Sequence, residues 1–170
     1  SRGLLEDLAV GAWAAGLLQV PAASRAPGEA RRRFPSPAFR EGWAGLARDL
    51  MAEAGYGRDR PGWRRVAASR AVLEDCRLVC VAGLHAAGMS LGEAGAVFGE
   101  EAGLAEASAR AEALRCAADP GRAAAGLGRA ILREVRSRRG GPPGMPGAPF
   151  LEAVLSLRAV PIGLFDRLLP

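Results

Sequence analysis

Cys76 and Cys80 stand four residues apart, a spacing that places two thiols on one face of a helix, as two ligands of a zinc ion are often placed. Zinc needs further ligands. The chain has one histidine, His85, no HExxH pair and no further Cys or His at ligand spacing. Both thiols instead continue an apolar stripe of Val66, Leu73 and Leu84, where a free Cys behaves as a small buried hydrophobe. No Ser lies in a GxSxG turn, and Cys116 has no His near it in sequence, so nucleophilic catalysis has no obvious carrier. A phosphate-binding GxxxxGK loop cannot occur in a chain without Lys.

What remains is a set of polar groups where they should be costly. Arg77 and His85 flank LVCVAGL (78–84), a run with no polar side chain. A charge beside a core must be paired or must face a cavity, so Arg77 is expected to meet a carboxylate or a polar pocket. Glu41 lies early in the helix that Pro37 opens. Around one pocket, Glu41 could serve as base or carboxylate anchor, His85 as acid, base or donor, and Arg77 as anion clamp. Such a trio suits proton transfer or ring closure on an anionic small molecule. A structural ion pair with a hydrogen-bonded His85 is the other reading.

Helices must position these groups. Leu4 to Gln19 is apolar on nearly every side, with Glu6 and Asp7 expected in its first turn, at the positive end of the helix dipole, and Pro21 stops it. Ser36-Pro37 is an N-cap followed by Pro at the first helical position, and this helix should run to about Ala54, before Gly55. The longest helix spans about Gly62 to Ala86, and its LVCVAGL section is expected to be buried on all sides. Ser90 and Glu93 form a capping box for a shorter helix ending near Gly99. Leu104 to Ala117 reads as an Ala-rich amphipathic helix, and Asp119-Pro120 caps another that runs to about Arg138. Phe150–Leu157 and Ile162–Leu168 are short terminal helices split by Pro161. With no period-2 alternation of strand length, the fold is expected to be all-α, an irregular bundle around a long buried central helix. One domain should cover residues 1–170, with flexible segments at about 21–35 and 138–149.

Composition bounds the function. The chain has 170 residues, 49% apolar and 24% charged, which is globular rather than disordered. All 23 basic residues are Arg, and Thr, which strands favour, is absent. The formal charge of +5 invites nucleic acid, but the arginines are interleaved with Asp and Glu and no aromatic residues alternate with the basic runs, so no nucleic-acid partner is expected. No apolar stretch reaches the length of a membrane span. Three Cys, an odd number, fit a reducing cytoplasm, and the start at Ser1 without Met implies processing or trimming.

Several segments carry a likeness. PAFREGWAGLARDLMAEAGY (37–56) resembles the EGWALYAEEL segment of the bacterial domain of unknown function 885 family, zinc-peptidase-like proteins of gluzincin type. RLVCVAGLHAAGMSLGEA (77–94), DPGRAA (119–124), LGRAILREVR (127–136) and FLEAVLSLRAVPIGLFDRLL (150–169) resemble later family segments in the same order. The resemblance implies the C-terminal catalytic part of such a protein. It also implies that the family's metal motif falls on EDLAVGAWA (6–14), keeping only Gly11: the ligand His positions fall on Glu6 and Ala12, and the base Glu on Asp7. That donor set cannot hold Zn²⁺ in the family's way, so no metal and no cofactor is expected. Glu41, the third ligand of the family, is retained with Trp43, Arg77, Gly83 and His85. A family Glu falls on Arg48 and a family Asp on Val81, which with Trp43 would form the pocket wall.

The resemblance therefore implies a metal-free, shortened relative rather than a working peptidase. Without the family's large N-terminal part, apolar helices would face water over an area that a partner polypeptide should cover. A subunit of a heteromeric enzyme in bacterial specialised metabolism is the leading expectation. A repurposed enzyme acting on an anionic small molecule through Glu41, His85 and Arg77 is the alternative.

Overall fold

The computed structural model describes residues 2–13, 36–139, 151–152, 154–155 and 164. Six α-helices and no strand occur among them: α1 (Arg2–Trp13), α2 (Pro37–Glu53), α3 (Pro61–Ala86), α4 (Leu91–Glu100), α5 (Glu106–Ala118) and α6 (Ala124–Arg139). The end of the expected Leu4–Gln19 helix, the segment expected to be flexible at 21–35, the low-complexity segment from Gly140 and most of the helices expected at Phe150–Leu157 and Ile162–Leu168 lie outside the described residues. The last described helix, expected to run to about Arg138, ends at Arg139.

Local chemistry sets the helix ends. Ser36 caps α2 by accepting from the Phe39 amide, with Pro37 in the first turn, where its missing N–H leaves no bond unmade. Ser90 and Glu93 form the full capping box on α4. Asp119 accepts from the Gly121 amide, but the turn it caps, Pro120–Ala123, is a 3₁₀ helix that precedes α6. The α1 helix begins at Arg2, so Glu6 and Asp7 fall beyond its first turn, and Asp7 is held by ion pairs instead of the helix dipole.

The α3 helix touches every other helix and is the axis of an irregular bundle. On one side α2 and α6 form a core of Phe39, Trp43, Leu46, Leu50, Leu132 and Val135, closed by Val154. Phe39 and Trp43 stack with ring centroids 6.3 Å apart. Burying each large apolar side chain contributes about 1.5–3 kcal/mol. The two backbones meet at Gly42 and Gly128, where a Cβ on either would run into the other helix. On the other side Cys76, Cys80 and Val81 of α3 pack against Ala94 and Phe98 of α4 and Ala109, Ala113 and Cys116 of α5.

The expectation that LVCVAGL is buried all round is overturned. Cys80, Val81 and Gly83 are buried, but Val79 is 52% exposed and Ala82 is exposed too. Among the described residues, the neighbours of α3 cover only one side of this section.

Candidate functional site

Buried charge organises the molecule. Asp7 of α1 is wholly inaccessible and lies between two guanidinium groups from different helices. Arg70 of α3 donates from Nε to Oδ2 at 2.6 Å. Arg48 of α2 brings its Nε to 2.9 Å from Oδ1, but its N–H is not aligned on that oxygen, so this contact is an ion pair rather than a directed hydrogen bond. Gly11, one turn along α1 from Asp7, leaves the space that the Arg48 guanidinium fills.

A second cluster joins α3 and α5. Glu112 accepts from Arg77 at 2.8 Å, from Arg115 at 2.8 Å and from Arg122 at 2.9 Å. Burial pushes the carboxyl pKa of Glu112 up, but the hydrogen bonds and charges of Arg77 and Arg122 outweigh it and hold it down to about 2. One turn along α5, the Cys116 carbonyl lies 3.0 Å from Nε2 of His85. Arg77 and His85 therefore converge on one face of α5.

Glu41 takes a different place. Its carboxylate is 47% exposed at the start of α2 and pairs with Arg40 at 2.9 Å. Among the described residues no hydrogen bond or ion pair joins it to Arg77 or His85. Of the pocket-wall residues expected from sequence, Arg48 lines a cleft between α2, α3 and α6. Trp43 and Val81 are packed into the two separate cores. Sequence reasoning did not single out Glu74, which is buried in that cleft, or Glu112. Glu112 was legible: Ala109, Glu112, Ala113 and Cys116 form an i, i+3, i+4, i+7 stripe, which places the acid on the buried face.

The thiols are poor nucleophiles and poor metal ligands in this setting. Burial raises the pKa of all three, and Cys80, next to two other thiols, is pushed up to about 11. Cys80 Sγ instead contacts the Ala94 carbonyl at 3.7 Å. Among the described residues no three His, Cys, Asp or Glu side chains group closely enough to share a metal ion. No helix among them is long and apolar enough to cross a membrane.

These features define an all-helical protein held by buried Arg–carboxylate clusters. Residues 17–167 match the model of a family described as bacterial proteins of unknown function, DUF885, and the chain belongs to that family. The matched span begins after α1, so it does not include Asp7. No curated protein and no solved structure shows significant similarity to the chain.

Proposed function

We propose that this chain is a metal-independent, non-peptidase member of the DUF885 family that works as one subunit of a heteromeric enzyme assembly, in bacterial specialised metabolism. The observation that carries the proposal is the inverted polarity of α1. Its inward face holds Gly3, Asp7, Val10 and Gly11, with the carboxylate innermost. Its outward face is Leu4, Leu5, Leu8, Ala9 and Ala12, flanked by Trp13, and Leu5 is 69% exposed. An ordinary surface helix is arranged the other way round. A contiguous apolar face of this kind is characteristic of protein interaction surfaces, and a partner polypeptide is the occupant it suits.

Metal independence is supported by the surroundings of Asp7. Its two oxygens already face guanidinium groups, where a divalent cation would meet like charge. The test is purification of the chain alone and from its native host. Alone it should bind a hydrophobic dye or self-associate, and from the host it should retain a partner in fixed ratio. A monodisperse monomer that binds no dye overturns the reading, and stoichiometric zinc overturns the metal-free part of it.

The surplus of positive charge around Glu112 favours a second reading, in which the α3–α5 side takes an anionic small molecule. Three guanidinium groups meet one carboxylate there, with the His85 ring one turn away. In this reading Arg77 clamps the anion and His85 supplies the proton-transferring group, while Glu41, expected beside them, stands apart on α2 and takes no part. Activity that survives both Arg77→Ala and His85→Ala discards it.

A further inference from the structure

The cleft between α2, α3 and α6 holds about 320 Å³ and is walled by small apolar residues, among them Gly45, Ala67 and Ala71. That volume is at the lower end of small-molecule sites. Five guanidinium groups line it, from Arg48, Arg64, Arg70, Arg129 and Arg133. Most of this charge is already matched. Arg133 donates to Asp49 at 2.8 Å, and Arg129 donates to Asp75 at 2.6 Å and to the Ala71 carbonyl at 3.0 Å. Arg48 and Arg70 share the single carboxylate of Asp7. Arg64 has no ion pair among the described residues. The cleft therefore carries guanidinium groups in excess of its paired carboxylates.

Against that excess stands one carboxylate that no protein group donates to. Glu74 lines the same cleft and is only 8% exposed, yet it accepts no hydrogen bond among the described residues. Its nearest cation, Arg129 Nη1, is 3.9 Å away, beyond hydrogen-bond reach. Its oxygens keep a little accessible surface towards the cleft, where a donor from water or from a ligand can meet them. Burial also raises its pKa, although Arg129, Arg48 and Arg70 pull the other way. One ligand would answer both features, with an acidic group for the arginines and a hydrogen-bond donor for Glu74.

We propose that this cleft binds a small organic acid carrying an amino or hydroxyl group beside its carboxylate. The carboxylate lies among Arg64, Arg70 and Arg48, whose planar forks suit it. The amine or hydroxyl donates to Glu74. The site is separate from the outer face of α1 and stands whether or not a partner covers that face.

The test is titration of the full chain, followed by NMR or calorimetry, with L-alanine, L-lactate and propionate, which share a three-carbon skeleton and differ only in the donor at the α-carbon. L-Alanine and L-lactate should saturate, with propionate weaker by about ten-fold or more, the usual worth of one charge-assisted hydrogen bond. Glu74→Gln should bring L-alanine down to the level of propionate. Arg64→Ala, at an exposed position, should weaken all three acids while leaving the fold intact. If Glu74→Gln does not fold, Arg64→Ala alone decides, and unchanged binding in it overturns the proposal. Failure of both L-alanine and L-lactate to saturate, or equal binding of propionate, overturns it as well; water then satisfies Glu74.

Discussion

Asp7 and Arg70 sit on helices whose sequence positions are far apart, yet the Arg70 Nε hydrogen bond to Asp7 Oδ2, at 2.6 Å, fixes α1 against α3. Arg48 reaches the other oxygen from α2, so one carboxylate ties three helices. Removing one member of a buried ion pair leaves the other charge uncompensated and costs about 3–5 kcal/mol. Asp7→Ala should therefore lower stability by that amount, with both arginines orphaned. Denaturant unfolding monitored by circular dichroism measures it, and a loss of a few tenths would show that the cluster does not hold α1.

Glu112 makes acid stability a property of the α3–α5 contact. Its carboxyl pKa is about 2 in the folded protein, well below its ordinary value of 4.5. A depressed folded pKa means that the stabilisation is complete above about pH 4.5 and drains away as pH falls from there towards about 2. The effect is on the order of 3 kcal/mol. Glu112→Gln should lower stability at neutral pH and flatten the acid limb of a melting-temperature profile.

The seam at Gly42 and Gly128 has no room for a methyl group, because the obstruction on each side is backbone. Gly128→Ala should cost about 1–3 kcal/mol by forcing α2 and α6 apart, in spite of the better helix propensity of Ala. Gly95→Ala is the control, since nothing lies within reach of its added carbon. That substitution should be neutral or slightly stabilising in thermal melts.

The outward face of α1 yields the sharpest contrast between stability and association. Leu5→Glu with Leu8→Glu should change folding free energy by only about 0.5 kcal/mol, as surface substitutions do. The same pair should abolish dye binding and partner retention. Gel filtration and co-purification read the second effect, and thermal melts the first.

Helix ends were legible in the sequence because capping is local. Ser36-Pro37 and the Ser90/Glu93 box each satisfy orphan amides within one turn. The inversion of α1 was not legible. Its pattern shows only that Leu4, Leu5 and Leu8 surround two acids; that Asp7 turns inward depends on Arg48 and Arg70, which arrive from other helices. LVCVAGL misled for a related reason. A run without polar side chains fixes no direction, and the packing of α4 and α5 on one side alone decided that Cys80 and Val81 face in while Val79 faces out. Glu74 and Asp75 are adjacent acids on neighbouring faces of α3, and only the fold shows that Glu74 is the one turned inward.

Because the chain has no Lys and every ion pair in the buried clusters is made by a guanidinium, no cation in those clusters can shed its proton in alkali. The high-pH boundary of the fold therefore passes to the sulfurs. Burial, with help from neighbouring thiols, lifts Cys80 from 9.0 to about 11, and Cys76 and Cys116 are lifted too. Above about pH 9 the unfolded chain gives up these protons while the native one keeps them, so stability falls as the solution grows more basic. A protein fastened by permanent charges is thus set to come apart in base through three uncharged atoms at its centre.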